Sequence, residues 1–228
     1  MGTLASNRKG FIVGASSGTY SAALNGTTGT ANDGATNTQS SIQYFKNTGR
    51  GGGTFRFIRT FIHFDTSGIS GGSSFQLQLT SAGANGSPSS LSNTTAIKHT
   101  AGGSNGGELA NADFNNIDRN TAYSSATSFG SSGTVTFTLN STAATQIINE
   151  DDFNVALLLS HDAAAEEEDM LESSGDVTNQ INFGNAINLV YTDPVSGYSN
   201  KIAGLAAASI NKVSGLATAN VGKVNGLD

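Results

Sequence analysis

The stretch Thr54–Asp65 reads Thr-Phe-Arg-Phe-Ile-Arg-Thr-Phe-Ile-His-Phe-Asp and holds four of the twelve phenylalanines in this 228-residue chain. No glycine or proline interrupts it, although the chain contains 29 glycines. As a strand it would span about 40 Å. With a period of two, both faces carry large apolar groups: Ile58, Thr60, Ile62 and Phe64 on one, and Phe55, Phe57, Arg59, Phe61 and His63 on the other. The stretch therefore predicts an internal strand that is covered on both faces.

The composition favours a β protein with neutral polar faces. Charged residues make up 12% of the chain, which is about half of their usual share. Glycine, serine, threonine and asparagine replace them, and the formal net charge is −6. A non-specific nucleic-acid binder is not expected at this charge. The chain has no cysteine, so disulfides and thiolate metal sites are excluded.

Other segments show strand and helix patterns around the long strand. Asn154–Ser160 contains a continuous apolar run, and Asn140-Ser141 would cap a short helix at Thr142–Asn149. Further strands are expected at Phe11–Val13, Tyr20–Leu24, Ser40–Lys46, Ser73–Thr80, Thr94–His99, Thr134–Leu139 and Gln180–Tyr191. Loops are expected at Gly26–Thr38, at Ala101–Thr127 with a short helix near Asn111–Ile117, and at His161–Asp176. Short strands separated by frequent turns predict a β-sandwich.

A motif within the long strand resembles a known family. The sequence Arg-Thr-Phe-Ile-His-Phe-Asp at Arg59–Asp65, followed by a turn and the alternating Phe75–Leu79, resembles the opening of the DNRLRE-type jelly-roll domain. The helix at Thr142–Asn149 followed by Phe153–Leu159 looks like the later half of that family. The resemblance covers roughly residues 10 to 192. It implies a jelly-roll β-sandwich of two mainly antiparallel sheets, and a binding or structural role as in cell-surface and particle-attached proteins.

The C-terminal residues form a repeat with a step of eleven. Lys201–Leu205, Lys212–Leu216 and Lys223–Leu227 share the pattern Lys-Ile/Val-x-Gly-Leu, and the segments between them also align. This pattern resembles the repeat tails of virion proteins in tailed phages from aquatic bacteria. We therefore divide the chain into a jelly-roll domain, residues 1–198, and a C-terminal arm, residues 199–228.

Three conformations are open to this arm. A step of eleven suits a slightly overwound helix, but one glycine per repeat costs about 1 kcal/mol in a helix interior. A flexible tail is the second reading, and an arm that docks on a partner chain is the one we favour, because three short repeats cannot bury a core alone. The expected partner-binding residues are Lys201, Ile202, Leu205, Ile210, Lys212, Val213, Leu216, Val221, Lys223, Val224 and Leu227.

Few residues form a pattern that predicts catalysis. The three histidines, His63, His99 and His161, are widely spaced and lie outside any metal-ligand motif. The acidic run Glu166–Asp169 is interpreted as a solvated loop, with Ca²⁺ binding as the alternative. Asp65 is expected to pair with Arg59 in a structural role. No catalytic residue, cofactor or metal ion is expected.

These observations predict a non-enzymatic virion structural protein of a tailed phage, anchored by its C-terminal arm. It would decorate the capsid or form part of the tail or collar. The expected partners are other virion proteins and further copies of the chain, with a host-surface glycan as an additional ligand; neither nucleic acid nor membrane insertion is expected. A carbohydrate-binding module of a surface or adhesion protein is the alternative. A glycan hydrolase using carboxylates such as Asp65 or Glu108 is a third.

Overall fold

The computed structural model describes residues 1–33, 40–48, 53–85, 93–102, 107–129, 132–165, 176–193, 212–213 and 216–217. Within these ranges the chain is an all-β sandwich, as the sequence predicts. The strands are β1 Gly2–Ala5, β2 Arg8–Gly14, β3 Gly29–Asp33, β4 Ser40–Asn47, β5 Thr54–Asp65, β6 Ser73–Asn85, β7 Asn93–His99, β8 Ile117–Ala122, β9 Thr127–Ser128, β10 Gly133–Thr138, β11 Asp152–Leu159, β12 Val177–Thr192, β13 Lys212–Val213 and β14 Leu216–Ala217. The helices are α1 Tyr20–Leu24, α2 Ser141–Asn149, α3 Ser160–Ala164 and a 3₁₀ helix at Asn111–Asn115.

Strand β5 is internal and has three neighbours. One edge pairs first with β4, through Thr54 to Ile58, and then with β11, through Thr60 to Asp65. The opposite edge pairs with β2 through Ile58 to His63. All of these pairings are antiparallel, so β5 is bonded along both edges and the predicted central placement is confirmed.

Twelve strands form one continuous antiparallel ladder. The main path runs β10-β6-β12-β4-β5-β11-β7-β8, while β1, β2, β3 and β9 attach beside it. The two layers of the sandwich are joined because β4 pairs with β12 along one edge and with β5 along the other. The buried apolar side chains of the described residues form one connected core.

Both faces of β5 are buried, as the sequence predicts. Thr60 and Phe64 on one face are fully buried, as is Arg59 on the other. Tyr20 of α1 packs edge-on against Phe57, with ring centroids 5.4 Å apart. Helix α1 therefore covers the first half of the strand on the Arg59 face.

The structure corrects four sequence predictions. The predicted loop His161–Asp176 begins within helix α3, Ser160–Ala164. Tyr20–Leu24 is a helix rather than a strand, and its N-cap is Thr19, whose side chain accepts a hydrogen bond from the Ala22 amide. The predicted loop Gly26–Thr38 contains strand β3, and the predicted loop Ala101–Thr127 contains β8 and the first residue of β9. These strands are polar and short. Strand β3 pairs with β2, from which α1 separates it in the sequence, and β8 pairs with β7 through an irregular register. The local pattern of apolar and polar residues does not predict such strand pairings.

Helix α2 begins where the sequence predicts. The Asn140 side chain accepts a hydrogen bond from the Ala143 amide at 3.1 Å and so caps the first turn. Ile147 is fully buried and Ile148 is partly buried against the core. The helix leads directly into β11, which holds the continuous apolar run and is buried along almost its whole length.

Candidate functional site

The predicted partner-binding arm lies mostly outside the described residues. Its described part is a small antiparallel hairpin in which Lys212 pairs with Ala217 and Val213 pairs with Leu216. The other predicted arm residues lie outside the described ranges: Lys201, Ile202, Leu205, Ile210, Val221, Lys223, Val224 and Leu227. The acidic run Glu166–Asp169 lies outside them as well. The candidate sites below are therefore built from the sandwich.

Arg59 on β5 is the centre of a buried polar network. Its Nε and Nη2 atoms donate to the two carboxylate oxygens of Asp162, each at 2.8 Å. Nη1 donates to the Phe114 carbonyl and the Asn115 side chain, and Nη2 also donates to the Leu24 carbonyl. All five guanidinium N–H groups are thus used. The Phe114 ring lies 4.1 Å from the guanidinium carbon, which adds a cation–π contact.

A second arginine, Arg119 on β8, shares the same carboxylate. Its Nη2 donates to Asp162 Oδ1 at 3.0 Å and its Nε donates to the Asp162 backbone carbonyl at 2.9 Å. The side chain of Arg59 is fully buried and that of Asp162 is 1% exposed, whereas that of Arg119 is 20% exposed. Two arginines and one aspartate leave the network with one formal positive charge. The exposed end of that network is Arg119.

The predicted pairing of Arg59 with Asp65 is wrong. Both residues belong to β5 and are six positions apart, a separation of about 20 Å along a strand. Asp65 is exposed and instead accepts hydrogen bonds from the Ser67 hydroxyl and amide. Those two bonds, chiefly the one from the hydroxyl, hold the pKa of the Asp65 carboxyl below its ordinary value.

His63 lies between two side chains. Its Nε2 is 2.8 Å from Asp152 Oδ1 on β11, and its Nδ1 is 2.6 Å from Asn7 Oδ1. The ring is almost completely buried. His63 therefore links the segment before β2 to β11 across the central strand.

His99 is a buried neutral histidine. Its Nε2 is 3.1 Å from the Ile62 carbonyl, and its Nδ1 accepts a hydrogen bond from the Ala101 amide at 3.1 Å. These partners require a proton on Nε2 and none on Nδ1. Burial lowers the pKa of the imidazole to about 4. Its role is to hold the chain that follows β7 against β5.

An open cleft of about 360 Å³ lies between β7, β8 and α3. Arg119 and His161 line it, together with the hydroxyls of Thr95 and Ser160, which lie 2.9 Å apart. The Nδ1 atom of His161 is buried and has no hydrogen-bond partner among the described residues. The rest of the lining is small and apolar: Ile97, Ala122, Ala126, Ala163 and Ala164. We refer to this feature as the Arg119 cleft.

A second open cleft, of about 320 Å³, lies where β7 and β8 meet α2. Its lining is polar throughout: Lys98, Thr121, Tyr123, Thr142, Thr145, Gln146 and Glu150. The Tyr123 hydroxyl donates to Gln146 Oε1, and Gln146 Nε2 donates to Glu150 Oε2 at 2.9 Å. Burial raises the pKa of the Tyr123 hydroxyl, so it remains a hydrogen-bond donor. We refer to this feature as the Gln146 cleft.

The described residues show neither a metal-type cluster nor a membrane-spanning helix. No three His, Asp or Glu side chains within the described ranges are placed to hold one metal ion. No helix within them is long and apolar enough to cross a membrane. Of the two carboxylates considered for hydrolysis, Glu108 is 89% exposed on the side chain and lies 3.9 Å from Arg8, while Asp65 bonds to Ser67.

Comparison with known proteins assigns no family. No protein-family model matches the chain, and no curated protein matches it either. The jelly-roll family and the phage tail repeat therefore remain resemblances carried by the motifs themselves.

Sequence reasoning missed both clefts and the buried network. Arg59 was visible as a charge inside an apolar strand, which is a signal for a buried partner. Its partner Asp162 follows β11 by three residues, and no local pattern connects the two. Arg119 lies in a segment without periodicity.

The Arg59–Asp162 pair is tested by substituting Asp162→Asn, which leaves two arginines without their shared carboxylate. Breaking a buried pair on one side typically costs about 3–5 kcal/mol. We expect a loss of that size in the free energy of unfolding, measured by urea denaturation. Glu108→Gln, which removes an exposed carboxylate near Arg8, is the matched control and should change stability by less than about 0.5 kcal/mol. Equal stability of the two variants would contradict the assigned role.

His99 predicts a stability that falls in acid. The imidazole of His99 has its ordinary pKa of 6.5 in the unfolded state and a pKa of about 4 in the folded state. The stabilising contribution is therefore complete above about pH 6.5 and declines as the pH falls towards 4. The expected decline from this residue is about 3 kcal/mol.

The measurement is the free energy of unfolding across this pH range for the protein and for His99→Asn. Asparagine retains an acceptor for the Ala101 amide but does not titrate. The variant is expected to be less stable at neutral pH and to lose less stability on acidification. Parallel pH profiles for the two proteins would show that His99 is not the titrating group.

Proposed function

We propose that this chain is a non-enzymatic structural protein of a tailed-phage virion, in which a β-sandwich head is attached to the particle by the C-terminal arm. The observation that carries the proposal is the eleven-residue repeat, with a Lys, a Gly and a Leu at the same offsets in all three copies. Regular spacing of this kind suits successive contacts along an extended partner surface. The head decorates the capsid or forms part of the tail or collar.

The small hairpin in the arm supports docking. Strands β13 and β14 have two residues each and, within the described ranges, pair only with one another. An isolated two-stranded hairpin is at best marginally stable in water. A partner surface that binds the arm supplies the missing stabilisation, and other virion proteins are the partners that we propose.

The leucines, glycines and lysines of the repeats have different proposed contributions to binding. We assign the contact energy to the leucines of the three repeats, each of which contributes about 1.5–3 kcal/mol if fully buried. The repeat glycines let the two backbones approach closely. We assign the repeat lysines to the rim of this interface, where charges contribute less. Because the contacts share one tether, each raises the effective concentration of the next.

The head offers a neutral surface for contacts between copies of the chain. On β6 and β10 the outward-facing side chains of the described residues are uncharged: Gln76, Gln78, Thr80, Thr134, Thr136 and Thr138. β10 ends the ladder among the described strands and contains neither proline nor charge. Depletion of charge is typical of interface centres, and it supports the homo-oligomer that we include in the proposal.

The proposal is tested by removing residues 199–228 and measuring circular dichroism and co-sedimentation with purified phage particles. We expect a folded head with an unchanged spectrum that no longer sediments with the particles. Replacing the three repeat leucines by alanine should reproduce this loss, while the matched replacement of the three repeat lysines should weaken binding far less. Undiminished binding of the truncated protein would refute the docking arm. Unfolding of the truncated protein would refute it as well, because the arm would then belong to the core.

The second candidate, a carbohydrate-binding module, is favoured by the Gln146 cleft. Its amide, hydroxyl, ammonium and carboxylate groups provide the donors and acceptors that sugar hydroxyls require. Met1 is the only large hydrophobic side chain strongly exposed among the described residues, so a sugar would be held by hydrogen bonds rather than by stacking. This candidate includes a host-surface glycan as the ligand.

Titration with a neutral oligosaccharide, followed by amide chemical shifts, tests this second candidate. Binding there should shift the amide resonances of Tyr123 and Gln146, and Gln146→Leu should abolish the shifts. Ser141→Ala, at an exposed position on the same helix but outside the cleft lining, is the control and should retain most of the binding. Absence of any shift at millimolar sugar would leave the docking function as the sole candidate.

A further inference from the structure

We propose that the Arg119 cleft binds a small organic carboxylate, and that this site acts independently of the C-terminal arm. Arg119, His161 and the Thr95–Ser160 hydroxyl pair would hold the carboxylate. The small apolar side chains of the cleft would contact the rest of the ligand.

The charge of the buried network selects an anion. Asp162 is shared by Arg59 and Arg119, so the three groups carry one net positive charge. No other acidic side chain makes a hydrogen bond with this network among those described: the remaining acceptors are the carbonyls of Leu24 and Phe114 and the side-chain amide of Asn115. Positive charge inside a poorly solvated region attracts a counter-ion more strongly than the same charge in water.

Unused hydrogen-bonding groups point to the position of that anion. Arg119 has five N–H groups and makes four hydrogen bonds with described residues, so one N–H on Nη1 remains unpaired among them. The buried Nδ1 of His161 has no partner within the described ranges. Thr95 and Ser160 share one hydrogen bond, which leaves one hydroxyl hydrogen unused in the described part of the chain. A buried polar atom without a partner is uncommon in native proteins, and a bound ligand would satisfy it.

The balance of charge favours a carboxylate over a phosphate. One net positive charge matches one carboxylate, whereas a phosphate monoester carries about −1.5 to −2 at neutral pH. The cleft volume of about 360 Å³ lies at the lower end of the range for small-molecule sites. Ile97 and four alanines complete the lining, so the ligand combines a carboxylate with a small apolar or ring-shaped body.

The experiment is a titration of the full chain with butyrate and with glucuronate, monitored by amide chemical shifts and calorimetry. These probes share the carboxylate and distinguish an aliphatic acid from an acidic sugar as its source. Butanol, glucose and inorganic phosphate are the matched comparisons. We expect at least one carboxylate to bind and to shift the amide resonances of Thr95, Ser160 and Arg119, while its neutral counterpart causes no shift. Binding should weaken as salt rises.

Three variants locate the site. Arg119→Gln should weaken carboxylate binding about tenfold or more, because a hydrogen bond to a charged group is lost. Ala126→Leu fills the cleft without touching the network and should also abolish binding. Arg8→Gln removes an equal charge outside the cleft and should leave the affinity unchanged.

Any one of three results would overturn the proposal. These are equal binding of butanol and butyrate, or of glucose and glucuronate; tighter binding of phosphate than of either carboxylate; and unaltered binding in Ala126→Leu. If Arg119→Gln does not fold, Ala126→Leu and the comparison with neutral ligands decide the question alone. A truncated chain lacking residues 199–228 should bind the carboxylate as well as the full chain does, which separates this site from the docking function.

Discussion

The fold depends on one buried arginine. An unpaired charge inside a protein is prohibitively costly, yet Arg59 lies fully buried in the middle of the central strand. It is tolerated because all five of its N–H groups find acceptors. Those acceptors belong to the end of α1, the 3₁₀ helix and α3. A single side chain thus holds three short helices against β5, and the packing of each helix is linked to that of the others.

The same network links stability to the carboxylate binding that we propose. Asp162 neutralises only one of its two arginines, and the remaining charge reaches the surface at Arg119. A ligand that supplies a carboxylate there would neutralise the charge that the described residues leave unpaired. Because such a ligand binds the folded state alone, it would also raise the apparent stability of the sandwich. In the site that we propose, structural and binding roles meet in one cluster.

The head and the arm differ in how they are stabilised. The head is stabilised by a continuous ladder of twelve strands around one apolar core. The arm consists of short repeats whose described strands have two residues each, far too few to form a core. In the function that we propose, the head supplies the stable body and the arm supplies the attachment, so each can change without disturbing the other.

The sequence alone determined the elements whose stabilising contacts are local or periodic. The apolar content of Thr54–Asp65 on both faces predicted an internal strand, and Asn140 predicted the start of α2 because its cap bonds to a residue three positions away. Only the tertiary structure decided which acid neutralises Arg59, since Asp162 is 103 positions distant. It also established the two clefts and the short polar strands. These form where segments that are distant in the sequence come into contact, and no periodic sequence pattern predicts such a contact.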